Sequence, residues 1–194
     1  EEIGGIFVFQ AILLLSVNFV SVGSMSVLQG LYFRIKDKFP VYLSSSILMS
    51  GVIWTIICFM VYWNLQNIFP AFGLSAEVGL LALFVSLGGV LQALYLALLQ
   101  IREQPGRYFI VLSVVYSVSF FLSVILILWC APTVMSRVIG ICCGILCGAS
   151  IAVYYFWKEG YVAPNLEIIR GLFVTGLPVI VHSSAMLLIS QTDK

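Results

Sequence analysis

Six apolar runs, nearly free of charge, govern what this chain can fold into: Gly5 to Leu31, Val41 to Trp63, Val78 to Ile101, Tyr108 to Ala131, Val138 to Trp157 and Gly171 to Ser190. Each reaches the roughly 20 residues that a helix needs to cross a bilayer core at 1.5 Å per residue. His182 is the one Asp, Glu, Lys, Arg or His within them. The breaks carry turn residues, with Pro40, Pro70, Gly73, Pro105, Gly106, Pro132, Gly160 and Pro164 between runs. In hydrocarbon every backbone N–H and C=O must be satisfied by the protein, and a helix does this locally. The expected fold class is all-α: a polytopic transmembrane bundle of six helices, A to F, in one domain over residues 1–194. Composition agrees, at 62% hydrophobic and only 9% charged, where a soluble domain carries roughly 25% charged residues. No basic, aromatic-rich stretch suggests a nucleic-acid partner.

Loop charge predicts orientation. The A/B, C/D and E/F loops hold Arg34, Lys36, Lys38, Arg102, Arg107, Lys158 and Arg170, whereas the termini and the other loops hold only Arg137 and Lys194. The positive-inside rule puts the first set in the cytoplasm and both ends outside. With no signal peptide before helix A and no initiating methionine, the expectation is a fragment that lacks a helix before Glu1 and more after Lys194. Ser75 is placed to cap helix C, with Glu77 in its first turn against the positive end of the dipole.

Polar residues inside the runs are the candidate functional positions, because an unpaired polar group in hydrocarbon is costly. At 100° per residue Asn18, Met25 and Gln29 share a stripe on helix A, flanked by Ser21 and Ser26. Gly88, Gln92 and Tyr95 share a face of helix C, and Ser113, Tyr116 and Ser117 a face of helix D. Such stripes either hydrogen-bond neighbouring helices or line a hydrophilic path. In helix E, Gly140, Gly144 and Gly148 recur every four residues, a pattern for close backbone approach. Cys142, Cys143 and Cys147 beside them read as small apolar filler; no metal site, cofactor or disulfide framework is indicated. In helix F, Pro178 removes a backbone donor and predicts a kink near Leu177. His182, one turn on, is either hydrogen-bonded structure or a proton carrier.

Helix F also carries a family resemblance. Gly176-Leu-Pro-Val-Ile-Val-His182, followed by Ser190-Gln-Thr-Asp193-Lys194, resembles the Gly-Leu-Pro-Leu-Ile-Pro-His and Ser-x-x-Asp-Arg signatures of O-antigen and related polysaccharide flippases. These belong to the multidrug/oligosaccharidyl-lipid/polysaccharide exporter superfamily. Glu2 to Gly5, Gly23 and the exit Tyr32-Phe33-Arg34 are similar to that family's second helix, and Gln100 to Tyr108 to the loop between its fourth and fifth. Val181 and Lys194 stand where the family has proline and arginine, and Gln29 and Gly30 where a basic residue is often found.

The resemblance implies most of one lobe of a two-lobe flippase plus the first helix of the second, in a bacterial cytoplasmic (inner) membrane. The implied activity is alternating-access transfer of a polyprenyl-pyrophosphate-linked oligosaccharide, an O-antigen or capsule repeat unit, from inner to outer leaflet. On that reading Asn18, Gln29, Gln92 and His182 are candidates for the substrate cavity. Arg34, Arg102 and Arg107 are candidates for phosphate at the cytoplasmic mouth, unless they only set topology, and Asp193 marks the periplasmic end. Partners would be the lipid-linked oligosaccharide, membrane lipid, and a polysaccharide polymerase with its chain-length regulator. A cation-coupled multidrug exporter should place an acidic residue inside an early helix, and helices A to F contain none. A membrane-embedded polymerase or acyltransferase should carry a large polar loop, whereas the breaks, Lys158 to Arg170 among them, are short; the chain is not expected to be an enzyme.

Overall fold

The computed structural model describes residues 2–32, 39–63, 75–129, 133–158 and 163–192, with side chains for all of these except 2, 3, 26, 29, 31 and 186–192. Seven helices account for nearly all of them: α1 (Glu2–Ser21), α2 (Ser24–Tyr32), α3 (Phe39–Trp63), α4 (Ala76–Ile101), α5 (Pro105–Trp129), α6 (Val134–Lys158) and α7 (Leu166–Thr192). Six of these, all but α2, are long and apolar enough to cross a membrane. The protein is a polytopic, multi-pass helical bundle.

Helices α3 to α7 begin two to five residues before the charge-free runs do. The first turns tolerate charge because they lie toward the ends of the spans, so Glu77, Arg107, Arg137 and Glu167 are helical. Ser75 caps α4 as its position predicts, its Oγ accepting from the Val78 N–H at 3.5 Å with Glu77 in the first turn. Asn165 does the same for α7, its Oδ1 accepting from the Glu167 N–H at 2.8 Å. Between α4 and α5 the chain reverses through a Schellman turn: Gln104 N–H donates to the Leu99 carbonyl and Glu103 N–H to that of Gln100. Glu103 occupies the left-handed position, φ 53°, that glycine usually takes.

Helix A is two helices. Val22 (φ 49°) and Gly23 (φ 63°) are both left-handed, which ends α1 at Ser21 and restarts the chain as α2 at Ser24. A second left-handed residue in succession is incompatible with the right-handed spiral, so the single stripe expected through Asn18, Met25 and Gln29 does not exist.

The central element is α4, which packs against α1, α2, α3, α5 and α6. Toward one end of the bundle Phe9 and Leu13 of α1 meet Val85 of α4 and Val138 of α6; toward the other, Val20, Leu28 and Leu43 meet Val90 and Leu94. The small residues of α6 do what their spacing predicts. A Cβ on Gly140 or Gly144 would collide with the α5 backbone at Ser119 or Val115, 2.8 Å from their carbonyl oxygens. The outward surface is apolar, with Phe109, Leu128 and Trp129 at least 70% exposed, as a lipid-facing surface requires. Helix α7 closes the bundle against α1, α2 and α3.

Candidate functional site

Two places combine irregular backbone or charge with an apolar surround. The first is the break in helix A. The Val22 carbonyl oxygen points at α7, where a Cβ on Gly176 would overlap it. Reciprocally, a Cβ on Gly23 would stand 2.9 Å from the Gly176 carbonyl oxygen and 2.9 Å from the Val179 Cβ. The two backbones therefore touch, and only glycine permits it on either side. Two residues beyond the contact comes Pro178, inside α7, which leaves the Val174 carbonyl without its helical donor. Val22, Met49 of α3, and Leu172 and Ile180 of α7 bury one another around this point. Met49 is the eleventh residue of the 25 in α3 and Gly176 the eleventh of the 27 in α7, so the contact lies near mid-depth in both.

Around this seam sit hydroxyls of an unusual kind. Thr55, Ser123, Ser150 and Thr175 each bond the carbonyl four residues back, the ordinary arrangement for a helix in an apolar medium. Ser24, Ser46 and Ser50 are fully buried and find no partner among the described residues. Ser24 follows the break directly, and Ser46, seven residues before Ile53, lies on the α3 face that looks toward α7, whereas Ser50, seven residues after Leu43, shares the stripe that packs on α1, α2 and α4. Beside them Ser45 anchors α7, its Oγ accepting from the Asn165 N–H at 3.0 Å. The sequence reading passed over these serines. The run Ser44-Ser45-Ser46 with Ser50 one turn on, in an otherwise apolar helix, was the available signal.

The second place is the end of the bundle where α3 and α5 begin and α4 and α6 finish. Among the described residues it gathers Arg102, Arg107, Lys158 and Arg170, whereas Arg137 lies at the other end. Here a cavity of about 540 Å³ opens between α3, α4 and α6, with Arg102 and Ser44 as its polar lining and Leu43, Leu91 and Phe156 among its apolar walls. Arg107 belongs to a different groove, between α5 and α6 beside Tyr154 and Tyr155, and its Nη1 donates to the Gln104 Oε1 at 3.2 Å.

The predicted site residues therefore distribute as follows. Gln92 is wedged against Gly148 of α6, where a glycine Cβ would come within 2.7 Å of its Cδ, and Gly88 and Tyr95 face α6 on the same stripe. Asn18 is half-buried on α1, its carbonyl accepting from Ser21 Oγ at 3.0 Å. His182 is exposed on the side of α7 away from α3, as is Pro178. Tyr116 and Ser117 of α5 face outward, so the helix D stripe is not turned inward: α5 buries Val111, Val115, Ser119 and Ser123 instead, because those meet the glycine ridge of α6. The side chain of Gln29, and Arg34 and Asp193 entirely, lie outside the described residues.

No family model, curated protein or solved structure matches the chain.

Proposed function

We infer that this protein works by alternating access, moving a polyprenyl-pyrophosphate-linked oligosaccharide from the inner to the outer leaflet of a bacterial cytoplasmic membrane. The observation that carries the reading is the mid-depth contact between a broken helix, α1/α2, and the proline-containing α7. Interrupted helices that meet near the bilayer midplane are the pattern on which transporters build substrate sites and moving joints. A continuous helical bundle with a purely structural role has no use for two left-handed residues in succession, of which Val22, unlike Gly23, costs about 1–2 kcal/mol.

The buried hydroxyls support the same reading. An unmade hydrogen bond in an apolar interior costs about 1–3 kcal/mol. Ser24 and Ser46 bear that cost with the seam closed, and they recover it in a conformation that admits water or a sugar between α3 and α7. The seam is thereby poised between two states. In the family resemblance, Gly176 and Pro178 open the second lobe, so α7 moves relative to α1, α2 and α3. The basic end draws the pyrophosphate headgroup by its summed field, and outward movement of that anion is downhill by about 2.3 kcal/mol per charge per 100 mV, inside negative.

Deletion of the encoding gene tests the assignment. The expected result is loss of surface polysaccharide with accumulation of lipid-linked repeat units shielded from glycosidase added outside. Unchanged polysaccharide with increased drug sensitivity would instead identify a multidrug exporter. Lipid-linked units that reach the outer face but stay unpolymerised would identify a polymerase.

A further inference from the structure

The cavity at the basic end is a different feature from the α7 seam and lies on the opposite side of α3. Pro40, Leu43, Ser44 and Ile47 line it, whereas Tyr42, Met49 and Ile53 face the seam. At 100° per residue these four centre about 150° from the seam set, with Phe39, also in the lining, between the two. The cavity is open along the outer surface: Pro40, Val153 and Trp157 on its rim are exposed, Trp157 at 84%. What lies against that surface in a membrane is lipid.

Its shape is graded. Arg102 sits at the C-terminal cap of α4, its backbone N–H held by the Leu98 carbonyl at 3.0 Å, so the guanidinium springs from a fixed point at the end of a span. Ile47 is eight residues into α3 and Leu91 eleven residues before Arg102, which at 1.5 Å per residue places the apolar floor roughly 12–16 Å deeper. A cation at headgroup level thus stands over an acyl-length apolar slot, with a tryptophan at the rim where interfacial aromatics belong. The volume, about 540 Å³, lies within the roughly 300–1,000 Å³ of pockets that hold organic ligands.

We propose that this cavity is a binding site for one anionic phospholipid of the membrane, its phosphate on Arg102 and an acyl chain in the slot between α3, α4 and α6. Apolar fit alone selects nothing in a bilayer, since free lipid offers the same surroundings to a chain. The selection comes from the charge of the guanidinium: phosphatidylcholine offsets its phosphate with its own ammonium, whereas an anionic headgroup stays net negative and gains from a nearby cation. Basic pockets between helices at the cytoplasmic side take anionic headgroups for this reason. The site does not depend on the transport reading, because among the described residues its lining comes from α3, α4 and α6.

Trp157 reports on the site. Trp54 lines a pocket toward the other end with Leu80 and Phe84, and Trp63 and Trp129 terminate α3 and α5 there. The difference in fluorescence between the wild type and Trp157→Phe isolates its signal in vesicles containing phospholipid brominated near the headgroup. Brominated phosphatidylglycerol should be favoured over brominated phosphatidylcholine by about fivefold, as one surface cation supplies. Arg102→Gln should bring the two lipids to parity, and Arg107→Gln, in the other groove, should leave the preference intact. Native mass spectrometry of the wild type should retain one phosphatidylglycerol that Arg102→Gln loses, a readout that does not need the tryptophan. Equal quenching by both lipids, or a preference that survives Arg102→Gln, overturns the site. Displacement of the brominated lipid by inorganic phosphate, or by a trace of polyprenyl phosphate, overturns the phospholipid as its occupant.

Discussion

At the scale of single residues, two glycines of α7 one turn and a residue apart have opposite reasons to be there. Gly176 is buried against the Val22 carbonyl, which a Cβ would overlap, whereas a Cβ on Gly171 meets nothing within 4 Å. Gly176→Ala must push two backbones apart and should cost about 3 kcal/mol or more, at the upper end of overpacking penalties. Gly171→Ala should stabilise by about 0.5–1 kcal/mol through restricted backbone freedom in a helix. Thermal unfolding of the two variants in the same detergent checks this. A lowered midpoint for Gly176→Ala and a raised one for Gly171→Ala are expected, and equal midpoints would mean that the α2 to α7 seam is not closed in solution. The sequence flagged Gly176 through the Gly-Leu-Pro motif and Gly23 as a family-like position, but neither flag revealed that the two residues touch. That fact depends on where Val22 aims its carbonyl, and a β-branched residue in the left-handed region is a conformation that local preference argues against.

At the scale of elements, what could be read in advance was whatever a single helix decides by itself. Length and apolarity located all six spans, and Ser75 with Glu77 located the start of α4. The glycine spacing of α6 announced a close contact, without naming α5 as the partner. Orientation about each helix axis was less legible. In a membrane both the buried and the lipid-facing sides are apolar, so hydrophobic periodicity no longer separates inside from outside. Helix α5 illustrates this, with Tyr116 68% exposed and Ser119 buried: the contact with Gly140 and Gly144 decides which face turns inward, and polarity does not. The consequence is testable at that contact. Gly144→Val would drive two methyl groups into the Ser119 Cβ and the Val115 carbonyl oxygen, each 2.8 Å from the glycine's missing Cβ. It should separate α5 from α6 and make the α5/α6 turn the preferred site of limited proteolysis. Gly30→Val on α2, where a Cβ meets nothing within 4 Å, should leave the digestion pattern unchanged. Equal susceptibility of both variants would argue that the ridge does not hold the pair together.

At the scale of the whole molecule, the asymmetry of charge matters more than the amount of it. The described cations concentrate at the end shared by the α4/α5 turn, the last turn of α6 and the first turns of α7, and Arg137 stands alone at the other. On the proposed reading, an inside-negative membrane and the positive-inside bias would hold that basic end in the cytoplasm. The phosphate-bearing ligands proposed above, a substrate headgroup drawn by the field and a resident lipid on Arg102, would both meet the protein from that leaflet. Orientation is therefore a common requirement of both proposals, and impermeant thiol labelling in intact cells measures it directly. In a background with the five cysteines replaced, Gln104→Cys and Ala163→Cys should be shielded until the membrane is opened, whereas Ser75→Cys and Thr133→Cys should react at once. The reverse pattern would place the basic end outside, where an inside-negative potential would oppose entry of the anion rather than favour its departure. Labelling of Gln104→Cys and Thr133→Cys from the same side would contradict the crossing of α5 itself, because these two residues flank its ends.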